Sequence, residues 1–235
     1  MMRIDIITLF PEMLSGYLGS SMMKRAVEAE AVEFNLINPR DFTTDKHQMT
    51  DDRPYGGGPG MVMKPEPLFA AVESVKSVES RVILLSPSGT PFKQEIAQQL
   101  ACNSSHLIFI CGHYEGIDER VREALVDEEL SIGDYVLTNG ALAAAVVSDA
   151  VVRLLPGVLG GGEMAREDES FATGFLDYPQ YTRPPIYRDM EVPALLLSGD
   201  HAAVEAWRRE AARERTASRR PDLWSNSDEK GENNA

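Results

Sequence analysis

Three observations predict an α/β domain built on a parallel sheet. Short apolar runs alternate with stretches of helical periodicity from residue 3 to residue 155, the pattern of strands joined by crossover helices. Two of the runs end abruptly in glycine-, proline- or serine-rich segments, and a third such segment follows residue 130. From Gly157 the chain becomes glycine-led and charged, then proline- and arginine-rich, so a linker and a smaller, mostly helical unit follow.

Residues 3–10 read as a buried first strand. Pro11 and Glu12 open a helix carrying Met13, Leu14, Tyr17 and Leu18, with proline where a first turn tolerates it. Residues 31–37 form another short strand. The five loop formers at 56–60 exclude a regular element there and suit either an anion-binding nest or a bare mobile loop. Residues 64–78 are helical. Residues 82–85 form an apolar strand that runs into Ser86-Pro-Ser-Gly-Thr-Pro91. Residues 94–101 are a helix. The strand at 107–111 runs into Gly112-His-Tyr-Glu-Gly-Ile-Asp118. A helix at 119–125, the segment 130–137 and a long apolar helix at 141–155 complete the domain. Residues 201–215 form a helix behind a cap at Asp200. Ligands of open α/β sheets bind beyond the carboxyl ends of the strands. A small-molecule site is therefore expected after Leu85, after Cys111 and around Leu137.

Composition limits the function. The formal net charge of −14 argues against general nucleic-acid binding. From Trp207 to Trp224, however, six arginines face three carboxylates, a local charge of +3. That stretch is either a surface helix with Glu/Arg pairing or an RNA-backbone patch. Two cysteines, Cys102 and Cys111, supply neither a disulfide framework nor metal-ligand spacing. The apolar stretch 4–10 is interrupted by Asp5 and is far too short for a signal peptide or a membrane span, and a cytoplasmic location is the default expectation. Neither G-x-x-x-x-G-K-[ST] nor a G-x-G-x-x-G between a first strand and helix is present, so NTPase and dinucleotide sites are unsupported.

Seven segments occur in order: Arg53-Pro-Tyr-Gly-Gly-Gly-Pro-Gly-Met61, Ser86-Pro87, Cys111-Gly-His-Tyr-Glu-Gly-Ile-Asp-Glu-Arg120, Ser131-Ile-Gly-Asp-Tyr-Val-Leu137, Arg153-Leu-Leu-Pro-Gly-Val-Leu-Gly160, Asp177-Tyr-Pro-Gln-Tyr-Thr-Arg-Pro184 and Arg219-Arg-Pro-Asp-Leu223. Together they resemble the bacterial tRNA (guanine-N1)-methyltransferases of the SPOUT superfamily, from Met2 to about Trp224. The resemblance implies a SPOUT-type parallel sheet domain with a C-terminal deep trefoil knot, a rare arrangement. It implies S-adenosylmethionine as methyl donor, lined by Ser86, Pro87, Gly112, Tyr114, Glu115, Gly116, Ile132, Gly133, Tyr135, Leu137 and Gly140. It associates magnesium with activity, and no ligand cluster in the sequence assigns a site to it. The implied organisation is a knotted cofactor-binding domain at 1–161, a linker at 162–171, a helical tRNA-binding domain at 172–224 and a disordered tail at 225–235.

The implied substrate is guanosine 37 of tRNA, beside the anticodon, and the implied assembly is a homodimer with its active site between protomers. The acceptor N1 carries a proton, so methylation needs a general base. Negative charge builds toward O6, so a cation there lowers the barrier. The resemblance gives the O6 role to Arg153 and the base to a linker aspartate just before a Ser-Phe pair. Strict register places Glu169 at that position, with Asp168 one residue earlier. Asp168 is preferred, because a register shift in a glycine-led loop costs little. Asp177 is a further supporting carboxylate, and Tyr181, Arg183 and the arginines from Arg208 to Arg220 are candidate RNA contacts. Ala141 stands where relatives usually carry glutamate, and Ala143 where proline is common. Two other readings stay open: a SPOUT methyltransferase acting on another RNA, and a non-catalytic RNA-binding relative.

Overall fold

The computed structural model describes residues 1–160, 169–172 and 174–224. The chain divides into two compact units, Met1–Gly160 and Gly161–Ala235. In the first unit the elements run β1 (Met2–Ile7), α1 (Glu12–Leu18), α2 (Ser21–Glu28), β2 (Val32–Ile37), β3 (Asp51–Asp52), β4 (Val62–Met63) and α3 (Pro65–Glu73). They continue with β5 (Ser80–Pro91), α4 (Gln94–Asn103), β6 (His106–Cys111), α5 (Glu119–Leu125), β7 (Glu128–Ser131) and α6 (Ala141–Val152). Five strands form one wholly parallel sheet in the order β2-β1-β6-β5-β7, while β3 and β4 pair antiparallel beside it.

Every residue of the central strand β6 is buried, and its side chains alternate between two cores as a strand's period of two requires. Leu107, Phe109 and Cys111 join α1, α2, α4 and α6 on one face. Ile108 and Ile110 join α3 and α5 on the other. This double cover explains why the strands read as continuous apolar runs. Helix α6 buries Ala143, Ala144, Val147, Ser148, Val151 and Val152 against the sheet, and the small residues at its start let it lie close to the strands.

The first unit departs from the sequence expectations in several places. Helix α2 had no counterpart there; it is eight residues long and buries only Met23 and Ala26. Helix α3 stops at Glu73 rather than residue 78, where Ser74 turns the chain and its hydroxyl bonds the Ala71 carbonyl. Helix α6 ends at Val152. Strand β5 does not end at Leu85: Leu85 and Thr90 both oppose Leu130 of β7, so residues 86–89 bulge out of a ladder that then resumes. Gly89 makes that return, for a β-carbon there would collide with the backbone of Glu129 and Leu130.

At the amino ends of the strands lies a buried polar cluster. Asp5 is fully buried. Its carboxylate accepts from Asn35 Nδ2 at 2.9 Å and Arg3 Nε at 3.1 Å, and meets His106 Nε2 at 2.6 Å. The Ser80 hydroxyl holds the other His106 nitrogen, at 2.7 Å. The cluster joins β1, β2, β5 and β6 by side chains as well as by the ladder.

In the second unit, β8 (Ile186–Tyr187) and β9 (Met190–Glu191) form a small hairpin, a 3-10 turn spans Ala194–Leu197, and α7 covers His201–Arg219. The Asp200 side chain caps α7 by accepting from Ala203 N–H at 3.0 Å. The helix runs one turn beyond the expected residue 215. The extended segment before the hairpin packs along it: Thr216 Oγ1 accepts from Leu176 N–H at 2.9 Å, Arg208 lies over the Tyr178 ring at 4.8 Å and Tyr181 meets Trp207 at 6.4 Å.

Two stability predictions follow from these contacts. Asp5→Ala strands the donors of Arg3, Asn35 and His106, and is expected to cost about 3–5 kcal/mol; urea denaturation measures it, and an unchanged midpoint would show that water reaches those donors. Gly89→Ala is expected to lower the unfolding free energy by about 1–3 kcal/mol through overpacking, read in the same assay.

Candidate functional site

A cavity of about 260 Å³ opens beyond the carboxyl ends of β5, β6 and β7, where an open α/β sheet places its ligand. Strand β5 contributes Leu84, Leu85, Ser86 and Pro87. The loop after β6 contributes residues 112–117, and the segment after β7 contributes residues 130–133 and 135–140. Every position that the resemblance assigns to the cofactor lines this one cavity: Ser86, Pro87, Gly112, Tyr114, Glu115, Gly116, Ile132, Gly133, Tyr135, Leu137 and Gly140. His113, Arg122, Thr138 and Asn139 also line it and were not among the expected cofactor positions. His113 lies within a quoted motif and Thr138 just after one, so proximity was the available signal. Arg122 reaches the cavity from helix α5, which only tertiary packing decides.

The loops are fastened backbone to backbone. Gly140 N–H donates to the Gly112 carbonyl at 2.9 Å, and His113 and Asn139 form an antiparallel bridge. A β-carbon on Gly140 would stand 2.8 Å from Cys111 Cα, closer than such contacts allow. On the other side, Glu115 N–H donates to Met61 O at 3.0 Å and Met63 N–H to Gly116 O at 2.9 Å. Strand β4 and the glycine-rich segment before it therefore abut the cavity loop. Tyr114 holds a left-handed φ of 58°, a costly conformation for a non-glycine residue that the surrounding bonds impose. The Tyr135 hydroxyl donates to the Ile132 carbonyl at 3.1 Å, closing the third loop on itself. Asn139 Oδ1 accepts from Ala141 N–H at 2.9 Å. Ala141 is fully buried and Ala143 nearly so, so both replacements in this chain sit as small groups packed under the loop.

The cavity's charges are few. Glu115 and Arg122 supply one of each sign. His113 packs between Phe10, at 5.3 Å, and Tyr114, at 4.3 Å. Burial pushes its pKa below the usual histidine value, against the pull of Asp51 and with the push of Arg40, so the ring is neutral at neutral pH. Burial likewise pushes the Cys111 thiol up to about 12, which removes it as a nucleophile. Among the described residues no group of three or more His, Cys, Asp or Glu side chains could hold a metal ion.

Of the expected catalytic residues, Arg153 and Glu169 are among those described. Arg153 is the C-cap of α6, its N–H bonded to Asp149 O at 3.1 Å, and is not part of the cavity lining. One turn back, Asp149 accepts from the Tyr17 hydroxyl at 2.7 Å; burial and then this bond raise the Tyr17 pKa. Asp168 lies outside the described residues. Glu169 belongs to the second unit, where its carbonyl accepts from Ala172 N–H at 3.1 Å. Nearby, Ser170 Oγ accepts from Asp177 N–H at 2.9 Å and Asp177 Oδ2 from Gln180 at 3.1 Å. Asp177 Oδ1 is buried without a hydrogen-bond partner among the described residues.

The family described as tRNA (guanine-1)-methyltransferase TrmD matches residues 2–226. A protein of Moorella thermoacetica named tRNA (guanine-N(1)-)-methyltransferase is 58% identical over 226 residues, covering 94% of this chain and 90% of the relative. One of Brevibacillus brevis with the same name is 58% identical over 223 residues, covering 94% and 91%. One of Bacillus cereus is 56% identical over 225 residues, covering 94% and 91%. With a match across nearly all of its length and a strand-end cavity lined by the motif residues, the chain belongs to the tRNA (guanine-1)-methyltransferase family.

Proposed function

We propose that the chain transfers a methyl group from S-adenosylmethionine to N1 of guanosine 37 in tRNA. The convergence of the motif positions on one cavity carries this reading. The cavity suits the cofactor chemically. Ile132 and Leu137 would hold the adenine between apolar surfaces, and the glycines at 112, 116, 133 and 140 put no side chain between the ligand and the loops. Glu115 supplies a negative charge for a cationic ligand. When bound, S-adenosylmethionine supplies a methyl group already activated by its sulfonium.

The protein's part is to position guanine and move one proton. A linker carboxylate, Asp168 or Glu169, takes the N1 proton. The Arg153 guanidinium offsets the charge that develops on O6. The remainder is alignment of N1 with the methyl group, on a base drawn out of the anticodon loop.

Assembly as a homodimer is part of this reading. Only the start of α6 touches the cavity, and Arg153 ends the helix roughly 18 Å further along, at 1.5 Å per residue. A second chain can bring such a helix end to the cavity. The exposed Met13, Tyr17, Leu142 and Val146 on α1 and α6 support a partner there. The trefoil knot belongs here too, supported by the glycine-only approaches at Gly89 and Gly140. In the second unit Arg209 and Arg213 stand exposed one turn apart, spaced to meet RNA phosphates while Arg208 and Arg215 are engaged within the unit. This unit is read as the tRNA-binding domain.

Labelled S-adenosylmethionine incubated with tRNA transcripts carrying G or A at position 37 tests the reaction. Only the G37 transcript should be methylated; equal labelling of both, or of neither, contradicts the reading. In a panel of variants, Arg153→Ala should lower turnover by roughly a hundredfold to a thousandfold with cofactor affinity little changed. Asp168→Asn should lower it far more than Glu169→Gln, and the opposite order would assign the base to Glu169.

A further inference from the structure

Strand β5 leaves its ladder after Leu85 and rejoins it at Thr90, both residues opposite Leu130. The four residues between them have no ladder partners on β7, yet Ser86 and Pro87 form one wall of the cavity. A short excursion of this kind is free to take several shapes unless side chains hold it.

Glu129, on the neighbouring strand β7, supplies that hold. Its Oε1 accepts from the Ser86 hydroxyl, through a short bond, and from the Ser88 hydroxyl at 2.9 Å. Its Oε2 accepts from Arg122 Nη1 at 2.8 Å. Ser86 Oγ in turn accepts from Ser88 N–H at 3.1 Å, and Ser88 Oγ from Arg122 at 3.4 Å. Each hydroxyl can donate to the carboxylate while accepting from another donor, and the two hydroxyls themselves lie 3.0 Å apart, where either can donate to the other. The Glu129 side chain is only 18% exposed and that of Arg122 32%, unlike a surface ion pair that water screens. Glu129 itself is not part of the cavity lining, and neither the sequence motifs nor the reading above gives it or Arg122 a task.

We propose that Glu129, oriented by Arg122, is a positioning residue that fixes the Ser86-Pro87 wall and thereby sets the affinity for S-adenosylmethionine. The proposal rests on the cavity being the cofactor site. Because Glu129 acts through the wall, its removal should weaken cofactor binding and leave the chemical step alone.

Calorimetric binding of S-adenosylmethionine and steady-state methylation of tRNA by the full-length protein test this. Glu129→Ala should raise the Kd and KM for the cofactor roughly tenfold, by leaving the serine and arginine donors without their acceptor. Its kcat at saturating cofactor and its KM for tRNA should change little, while the thermal midpoint without ligand falls modestly as the donors lose their acceptor. Glu129→Gln keeps an acceptor for both serines and should recover most of the affinity. Arg122→Met should fall between the two. Adding Ser88→Ala to Glu129→Ala should cost no further affinity, since Ser88 lies outside the cavity lining and both act through one contact.

Unchanged cofactor affinity in Glu129→Ala overturns the proposal. So does a joint fall in kcat and thermal midpoint that Glu129→Gln fails to rescue, which makes the residue a plain stabiliser. Should Glu129→Ala not fold, the Glu129→Gln and Arg122→Met affinities decide in the same way. Failure of the wild-type protein to bind S-adenosylmethionine would instead overturn the functional reading itself.

Discussion

The close approach of residue 140 to the end of β6 is the contact on which the site depends. One backbone bond, from Gly140 N–H to the Gly112 carbonyl, joins the loop after β7 to the loop after β6. There is no room for a side chain at that point. The contact sets the start of α6 under the cavity. Arg153 caps the other end of that helix. Loops otherwise free to vary become walls because their backbones are tied to one another, and a preorganised wall spares a ligand the cost of ordering it.

The two ends of the sheet solve opposite problems. At the amino ends, Asp5 and His106 form a buried hydrogen-bonded pair that Arg3, Asn35 and Ser80 complete. Such a cluster rewards a single arrangement of four strands, since any other leaves a buried donor or acceptor unmet. At the carboxyl ends the chain exposes backbone, glycine and a strained tyrosine instead. Rigidity at one end lets the other keep the irregular geometry that a ligand site needs.

Charge is divided in the same manner. An acidic chain of net charge −14 repels polyanions over most of its surface. The arginines of α7 are not equivalent. Arg208 stacks on Tyr178 and Arg215 holds the Asp177 carbonyl, so these two build the unit that carries the others. Arg209 and Arg213 remain on the solvent side. A local patch of this kind favours one docking orientation over general attraction to nucleic acid.

Much of the molecule was legible in its residues. Buried parallel strands announce themselves as unbroken apolar runs, and 82–85 and 107–111 lie within β5 and β6 for that reason. Strand ends followed by glycine and proline indicated the cavity, since the backbone there must turn and stay open. Family motifs added the positions expected to bind the cofactor, and the fold brings those residues around one cavity. What the tertiary structure alone decided was pairing at a distance. Nothing in the sequence joins Glu129 to Ser86, or Asp5 to His106, because local periodicity carries no record of which strands become neighbours. The return of β5 at Thr90 was hidden likewise, since a bulge is defined by its partner strand. Helix α2 is short and mostly polar, with only Met23 and Ala26 buried, and the helices and strand it packs against settled its place.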